Sequence, residues 1–243
     1  MSTESLNSKR ESTSRRLDNA WKSLEKSGWL SRRSPQTRQL LYSVARLLSF
    51  DTDDVLYFAG DKPNGVFGLV SGSLQIAVPR ADGQECLFYR AETGFWVGDL
   101  ALFSGQSRLV TARVSRGTRV VRLPQGALAA LLERHPELIK DFYDLSFENT
   151  RTALQLLGNL TVTGAENRIA LRLLMHAETL GNSSDWINLS QDTLALMVAV
   201  SEKTVRRSLR ELHDRGLIET SYSRLRIIDQ EGLASLCGYS RPQ

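Results

Sequence analysis

Residues 190–216, SQDTLALMVAVSEKTVRRSLRELHDRG, constrain the fold more than any other part of the sequence. Their pattern predicts two helices joined by a tight turn, with Ser201 at the start of the second helix. At about 100° per residue, three apolar residues of that helix fall within about 60° of one another, namely Val205, Leu209 and Leu212. The opposite side and its edge carry the cations Lys203, Arg206, Arg207 and Arg210. Because a helix of this size fits the DNA major groove, we predict a helix-turn-helix with a cationic recognition helix.

Length and composition set broader limits. A chain of 243 residues with 41% hydrophobic residues can form one large domain or two ordinary ones, each with a packed core. The net charge of +4 is too small to identify a nucleic-acid binder, so the local clustering of cations carries that argument. No apolar run approaches the length of a membrane span, and the N-terminus has no apolar signal segment. We therefore expect a cytoplasmic protein without membrane association.

The N-terminal segment divides into two parts. Residues 1–16 are rich in Ser, Arg, Glu and Thr, which predicts a disordered tail. From residue 17 to residue 48 the apolar residues recur at helical spacing, up to and including Leu47 and Leu48. This spacing predicts two or three short helices that pack onto the following segment.

Residues 50–123 change to short alternating runs separated by glycines, such as SLQIAV and GFWVGDLALF. In the first of these runs Leu74, Ile76 and Val78 share one face, as a half-buried strand requires. The dipeptide Asp82-Gly83 is typical of a tight hairpin turn. Many short strands with regular turns predict an antiparallel roll or jelly roll, which with its flanking helices occupies residues 17–135.

Jelly rolls also occur in metal-dependent enzymes, which need several histidines on the barrel strands. The three histidines, His135, His176 and His213, lie beyond this segment. Cys86 and Cys237 are too few for a cysteine-ligated iron–sulfur cluster or zinc site, and we interpret both as small buried thiols. We therefore predict no catalytic residue, metal or haem, and we keep a jelly-roll enzyme only as a remote alternative.

Residues 136–163 predict one long helix. Seven residues recur there in steps of three or four, namely Ile139, Tyr143, Ser146, Thr150, Ala153, Leu157 and Leu160. This seam resembles that of a coiled coil and predicts pairing with a second chain, with packing on the roll as the alternative. Residues 164–232 would then form a second domain, followed by a C-terminal tail, 233–243.

Taken in this order, the segments resemble the Crp/Fnr family of bacterial transcription regulators. The resemblance covers about residues 30–232 and rests on LVSGSLQIAV, GFWVGDLALFSGQSR, HPELIKDF, GAENRIALRLL, the helix-turn-helix and SYSRLRIID. It implies an α+β fold, in which a cyclic-nucleotide-binding-like sensor roll precedes a dimerisation helix and a winged helix-turn-helix. It also implies a homodimer that binds double-stranded promoter DNA, with RNA polymerase and a small-molecule effector as further partners.

The resemblance assigns roles to individual residues of the second domain. Ser190, Ser201 and Thr204 are expected to contact the DNA backbone, with both serines acting as N-caps. Lys203, Arg206 and Arg207 are the candidates for base edges, and Arg207 matches a position that commonly reads guanine in the family. Glu202 and Lys203 differ from many relatives, so the family's familiar half-site does not transfer. The hairpin 219–228 is expected to be a wing that touches phosphate, with Tyr222-Ser223 at its tip and Arg224 beside it.

The sensor pocket resembles a cyclic-nucleotide site in shape but departs from it in chemistry. Gly98 is followed by Asp99 where the family has Gly-Glu, and Arg108 is followed by Leu109 where the family has Arg-Ser. Ala153 and Leu154 replace the Thr and Ser that hold the adenine amino group, and an unpaired buried group costs about 1–3 kcal/mol. We therefore expect no cAMP binding in the usual pose. An alternative role for Arg108 is a structural salt bridge, with Asp99 as its candidate partner.

Two regulatory hypotheses follow. In the first, an input at the roll changes the spacing of two recognition helices, which for DNA binding would be about 34 Å, one duplex turn. In the second, the roll is a ligand-free dimer scaffold.

Overall fold

The computed structural model describes residues 3–91, 93–162, 164–180, 186–187, 189–198, 200–221 and 224–238. For residues 3–13, 159–161, 176, 178–180 and 196 it describes the backbone only. The chain divides into two compact units, Met1–Thr150 and Arg151–Gln243. In the described residues, no helix has the length and apolar character needed to cross a membrane.

The first unit opens with three helices, α1 (Thr3–Leu24), α2 (Gly28–Ser31) and α3 (Pro35–Val44). Residues 3–16, which the sequence predicts as a disordered tail, belong to α1 in the structure, and they contain neither glycine nor proline to stop a helix. Leu47 and Leu48 also differ from the prediction, because Ala45 leaves the helical conformation and the next residues join a strand.

Eight antiparallel strands confirm the predicted roll. They form two sheets, with the orders β1-β8-β3-β6 and β2-β7-β4-β5. Their bounds are β1 (Arg46–Ser49), β2 (Asp54–Tyr57), β3 (Gly65–Ser71), β4 (Leu74–Pro79), β5 (Glu85–Ala91), β6 (Trp96–Val97), β7 (Thr111–Val114) and β8 (Arg119–Pro124). The run GFWVGDLALF is only partly a strand, because Gly98 adopts a φ of 101° and starts helix α4 (Asp99–Ser104). The roll is followed by α5 (Gln125–Arg134) and the long helix α6 (Leu138–Thr161).

Aromatic rings join the helices of the first unit to the roll. The ring of Trp29 in α2 lies 5.4 Å from Trp96 of β6 and 5.2 Å from Phe142 of α6, centroid to centroid. All three are buried, and the Trp29 indole also donates a hydrogen bond of 2.8 Å to the carbonyl of Asp141. Such ring pairs contribute about 0.5–1.5 kcal/mol beyond their burial, so α2 helps to hold the start of α6 against the roll.

The second unit contains α7 (Ala165–Leu180), α8 (Gln191–Val198), α9 (Glu202–Asp214), β9 (Ile218–Ser221), β10 (Arg224–Ile227) and α10 (Gln230–Cys237). Its core combines side chains from each of these helices, including Leu173, Leu194, Leu209 and Leu233. The predicted C-terminal tail is therefore wrong for residues 233–237. They belong to α10, which Asp229 caps by accepting a hydrogen bond of 2.8 Å from the amide of Gly232.

Candidate functional site

Helix α9 has the predicted two-sided character. Val205, Leu209 and Leu212 are buried in the core of the second unit, and the cations at positions 203, 206, 207 and 210 are exposed. Ser201 caps the helix, because its hydroxyl accepts a hydrogen bond of 3.1 Å from the amide of Thr204. One face of the helix is thus fixed by packing, and the other is available to an anionic partner.

Two local contacts lie in the helix-turn-helix, one at the start of α8 and one on the exposed face of α9. Ser190 caps α8, with 3.4 Å between its hydroxyl and the amide of Thr193, as the sequence predicts. On α9 itself, the Nε of Arg207 lies 3.7 Å from an oxygen of Glu211, one turn later. Because such exposed pairs contribute about 0.2–1 kcal/mol, Arg207 can exchange this partner for an anion at little cost.

The predicted wing is formed by β9 and β10. These strands are antiparallel and pair Arg224 with Ser221, while the expected tip, Tyr222-Ser223, lies outside the described residues. The guanidinium of Arg224 stacks on the indole of Trp186, 4.5 Å from the ring centroid. Trp186 is not among the site residues that the sequence predicts. In the sequence it is an isolated large aromatic residue just before the helix-turn-helix, and no motif marks it.

In the roll, Asp99 is almost fully buried, with 2% of its surface exposed. Its carboxylate accepts hydrogen bonds from two residues of α6, the Ser146 hydroxyl at 2.6 Å and the Asn149 amide at 2.9 Å. Burial raises the pKa of this carboxyl, and the hydrogen bonds from α6 and from backbone amides oppose that rise. Asp99 therefore links α4 to the long helix.

The alternative role of Arg108, a salt bridge with Asp99, is not what the structure shows. Arg108 is 3% exposed and donates to the carbonyls of Gly98 and Gly65, at 2.7 and 2.8 Å, and to the Asn64 side chain at 3.0 Å. Its guanidinium also lies 4.1 Å from the ring centroid of Tyr57. Burial lowers the pKa of Arg108. The hydrogen-bond acceptors of Arg108 are neutral oxygens, and the Asp99 carboxylate bonds to α6 instead.

The five predicted pocket residues are divided between the two units. Gly98, Asp99 and Arg108 lie together in the roll, where Arg108 bonds to the Gly98 carbonyl. Ala153 and Leu154 belong to α6 beyond the unit boundary, and Leu154 is exposed.

The apolar stripe of α6 differs from the predicted seam. Among the side chains of α6 that the structure describes, the large exposed apolar residues span about 80° of the helix and are Ile139, Tyr143, Phe147, Leu154 and Leu157. The predicted seam instead included Ser146, which bonds to Asp99, and the half-buried Ala153. Of its other members, Thr150 is exposed, and the side chain of Leu160 lies outside the described residues.

Cys86 is another correction, because its side chain is exposed rather than buried. It lies on β5, the edge strand of its sheet among the described strands. Cys237 is half-buried in α10. Among the described residues, no group of three or more His, Cys, Asp or Glu side chains could hold a metal ion.

Comparison with known families accounts for both units. Residues 47–135 match the cyclic nucleotide-binding domain, and residues 167–236 match the Crp-like helix-turn-helix domain. The chain belongs to the Crp/Fnr family. This Crp/Fnr protein is therefore a DNA-binding transcription regulator and not an enzyme.

Several relatives of this Crp/Fnr regulator are known. The CRP-like cAMP-activated global transcriptional regulator of Mycobacterium tuberculosis is 24% identical over 192 residues, which cover 77% of this chain and 86% of that protein. Transcriptional regulator SdrP of Thermus thermophilus is 25% identical over 199 residues, covering 79% and 95%. The structure of FixK2 from Bradyrhizobium japonicum shares the fold, with a TM-score of 0.72 and 20% identity over 82% of this chain and 100% of that one.

Proposed function

We propose that this Crp/Fnr regulator acts in the cytoplasm as a homodimer on promoter DNA. Each copy places α9 in the major groove, and the roll controls the spacing of the two recognition helices without cAMP in its usual pose. RNA polymerase is the expected protein partner at the promoter. The observation that carries the proposal is the two-sided α9, in which a buried apolar face holds a cationic face outward.

The exposed cations and the caps of α9 support the following contacts with DNA. The serines at the two N-caps and Thr204 meet the DNA backbone, and Lys203, Arg206 and Arg207 reach base edges, with Arg210 adding charge. A bidentate arginine–guanine contact contributes about 1–3 kcal/mol of discrimination against the wrong base. Arg224 adds a phosphate contact from the wing.

Dimerisation is supported by the apolar stripe of α6. Five large apolar side chains on one face of one helix are exposed to water, and burying such a face is the main driving force for association. A second copy offers the same face, so a twofold axis makes the contact self-complementary. Two α9 helices on one duplex also bind more tightly than one, because the second contact is intramolecular.

The absence of cAMP control in the usual pose is supported by the internal partners of Asp99 and Arg108. Both side chains are almost fully buried, and both already bond to protein groups. A nucleotide would have to replace those bonds, and Ala153 and Leu154 lack the hydroxyls that hold the adenine amino group in relatives. The same contacts favour the second candidate, a roll that acts as a ligand-free dimer scaffold.

The test of DNA binding is a fluorescence-anisotropy titration with a sequence selected from a random DNA pool. We expect Arg206→Ala/Arg207→Ala to abolish specific binding. Arg80→Ala/Arg116→Ala removes the same charge from the roll and should leave binding close to that of the parent. Equal binding by both double variants would overturn the assignment of α9.

Thermal unfolding with added ligands tests the sensor. We expect no change of the unfolding midpoint with cAMP, and a rise of several degrees would contradict the proposal that the roll does not bind cAMP in its usual pose. A rise with another small anionic metabolite would favour an effector, whereas no rise with any would favour the ligand-free scaffold.

A further inference from the structure

Trp186 directly precedes an isolated β-bridge that joins the second unit's Ile187 to the wing. The next residue, Ile187, pairs with Leu225 of β10 through two backbone hydrogen bonds of 2.7 and 3.0 Å. In this antiparallel register Trp186 is opposite Arg226 and diagonal to Arg224, on the same face of the wing. The indole thus lies beside two arginines that alternate along β10.

The two arginines differ in their electrostatic partners. The guanidinium of Arg226 lies 5.2 Å from the indole centroid, and its Nε donates a hydrogen bond of 2.7 Å to the carboxylate of Glu219 across the wing. Arg224 lies 4.5 Å from the same centroid, and its cross-strand neighbour is the neutral Ser221. The charge of Arg226 is therefore compensated by an adjacent carboxylate, whereas Arg224 stacks on the indole opposite an uncharged neighbour.

Stacking on an aromatic face suits an arginine that binds phosphate. Where a guanidinium lies face to face on an aromatic ring, the attraction acts through its flat face, and the N–H donors in its plane can still bind an anion. Those donors match two oxygens of one phosphate. Holding the group flat also reduces the side-chain freedom that is lost when the phosphate binds.

We propose that Trp186 is a positioning residue, which holds Arg224 in place for a contact with a DNA phosphate. Arg226 instead stabilises the wing through its bond to Glu219. The inference rests on the proposed function in one respect, namely that the wing meets the DNA backbone. It adds a residue outside the helix-turn-helix to the DNA-binding surface and separates the roles of the two wing arginines.

A double-mutant cycle tests the coupling, with affinity measured as a function of salt for the full-length protein. Arg224→Ala should weaken binding, because one phosphate is no longer neutralised. The slope of the logarithm of the binding constant against the logarithm of the salt concentration (the salt slope) should become shallower by about one. Trp186→Leu should weaken binding about three- to tenfold in the parent. In the Arg224→Ala background, Trp186→Leu should have no further effect. In the parent, Trp186→Phe keeps a ring face and should therefore retain most of the affinity that Trp186→Leu loses.

Arg226→Ala is the matched control, since it removes an arginine that also contacts Trp186 but is neutralised by Glu219. We expect it to leave the salt slope unchanged. Trp186→Leu overturns the proposal if it leaves affinity unchanged, or if it weakens binding equally in both backgrounds. If Arg206→Ala/Arg207→Ala abolishes binding in the same assay, either result rejects the role of Trp186 and leaves the proposed function intact.

A second measurement needs no variant. Of the four tryptophans, Trp21, Trp29 and Trp96 are buried in the first unit, and Trp186 is half-buried in the second. Quenching of fluorescence by iodide should therefore report mainly on Trp186, and bound DNA should reduce it. Quenching that is identical with and without DNA would also overturn the proposal.

Discussion

Phe147 offers the sharpest test of the proposed dimer interface. It lies near the middle of α6, and 63% of its surface is exposed, whereas Phe142 on the same helix is buried. If the apolar stripe pairs with a second copy, Phe147 loses most of this exposed surface on association. Phe147→Ala should therefore weaken the dimer with little effect on the fold of one copy.

The size of the effect follows from the exposed area. A phenylalanine side chain has about 200 Å² of surface, so roughly 130 Å² is available for burial. At about 25 cal/mol per Å² this area corresponds to about 3 kcal/mol, of which alanine and incomplete burial leave a loss of about 2 kcal/mol. A twofold dimer contains the contact twice, so the loss is about 4 kcal/mol and the dissociation constant rises about a thousandfold.

Sedimentation velocity over a wide range of protein concentration measures this change. Leu109→Ala is the matched control, because Leu109 is similarly exposed, at 65%, but belongs to the roll rather than to α6. We expect the control to dimerise like the parent. If Phe147→Ala also dimerises like the parent, or if the two variants lose affinity equally, the apolar stripe is not the interface.

Two further predictions concern stability. Burial raises the pKa of the Asp99 carboxyl, so the stabilising effect of its protonated form is present at low pH and is lost as pH rises through the folded-state pKa. Asp99→Asn should therefore gain stability relative to the parent as pH increases from acid to neutral, measured by urea unfolding, and a difference that is constant with pH would contradict this cause. Ser201→Ala removes the acceptor for the Thr204 amide and should cost about 1 kcal/mol, whereas Ser201→Gly should cost only a few tenths. Equal losses in thermal unfolding would show that the cap does not stabilise α9.

The secure predictions from the sequence concern local patterns. The spacing of Val205, Leu209 and Leu212 and the capping residue Ser201 all lie within one helix, so the sequence alone could identify the buried face and the start of α9. The strands of the roll were recognisable for the same reason, because alternation and turn residues act over a few positions. The order of the roll, the long helix and the helix-turn-helix along the chain then indicated the Crp/Fnr family.

Local patterns could not predict which face of a helix is exposed where apolar and polar residues are mixed on that helix. On α6, Ser146 and Phe147 are adjacent in sequence and both fit a seam with steps of three and four residues. Only the position of Asp99, which bonds to the Ser146 hydroxyl, decides that Phe147 belongs to the exposed stripe. Periodicity shows that a helix has an apolar side, but the neighbouring elements decide which side is covered.

The partners of charged groups depend on tertiary structure in the same way. Asp99 and Arg108 are close in sequence and opposite in charge, yet Asp99 bonds to α6 and Arg108 to carbonyls of the roll. Trp186 and Arg224 are far apart in sequence, and they meet because Ile187 pairs with β10. The sequence therefore determined the two-sided, capped helix α9 and the order of the roll and the helix-turn-helix, since these arise from short-range patterns. Only the folded chain decided which side chains hold that helix, the wing and the roll in place, because those contacts join residues that no local pattern relates.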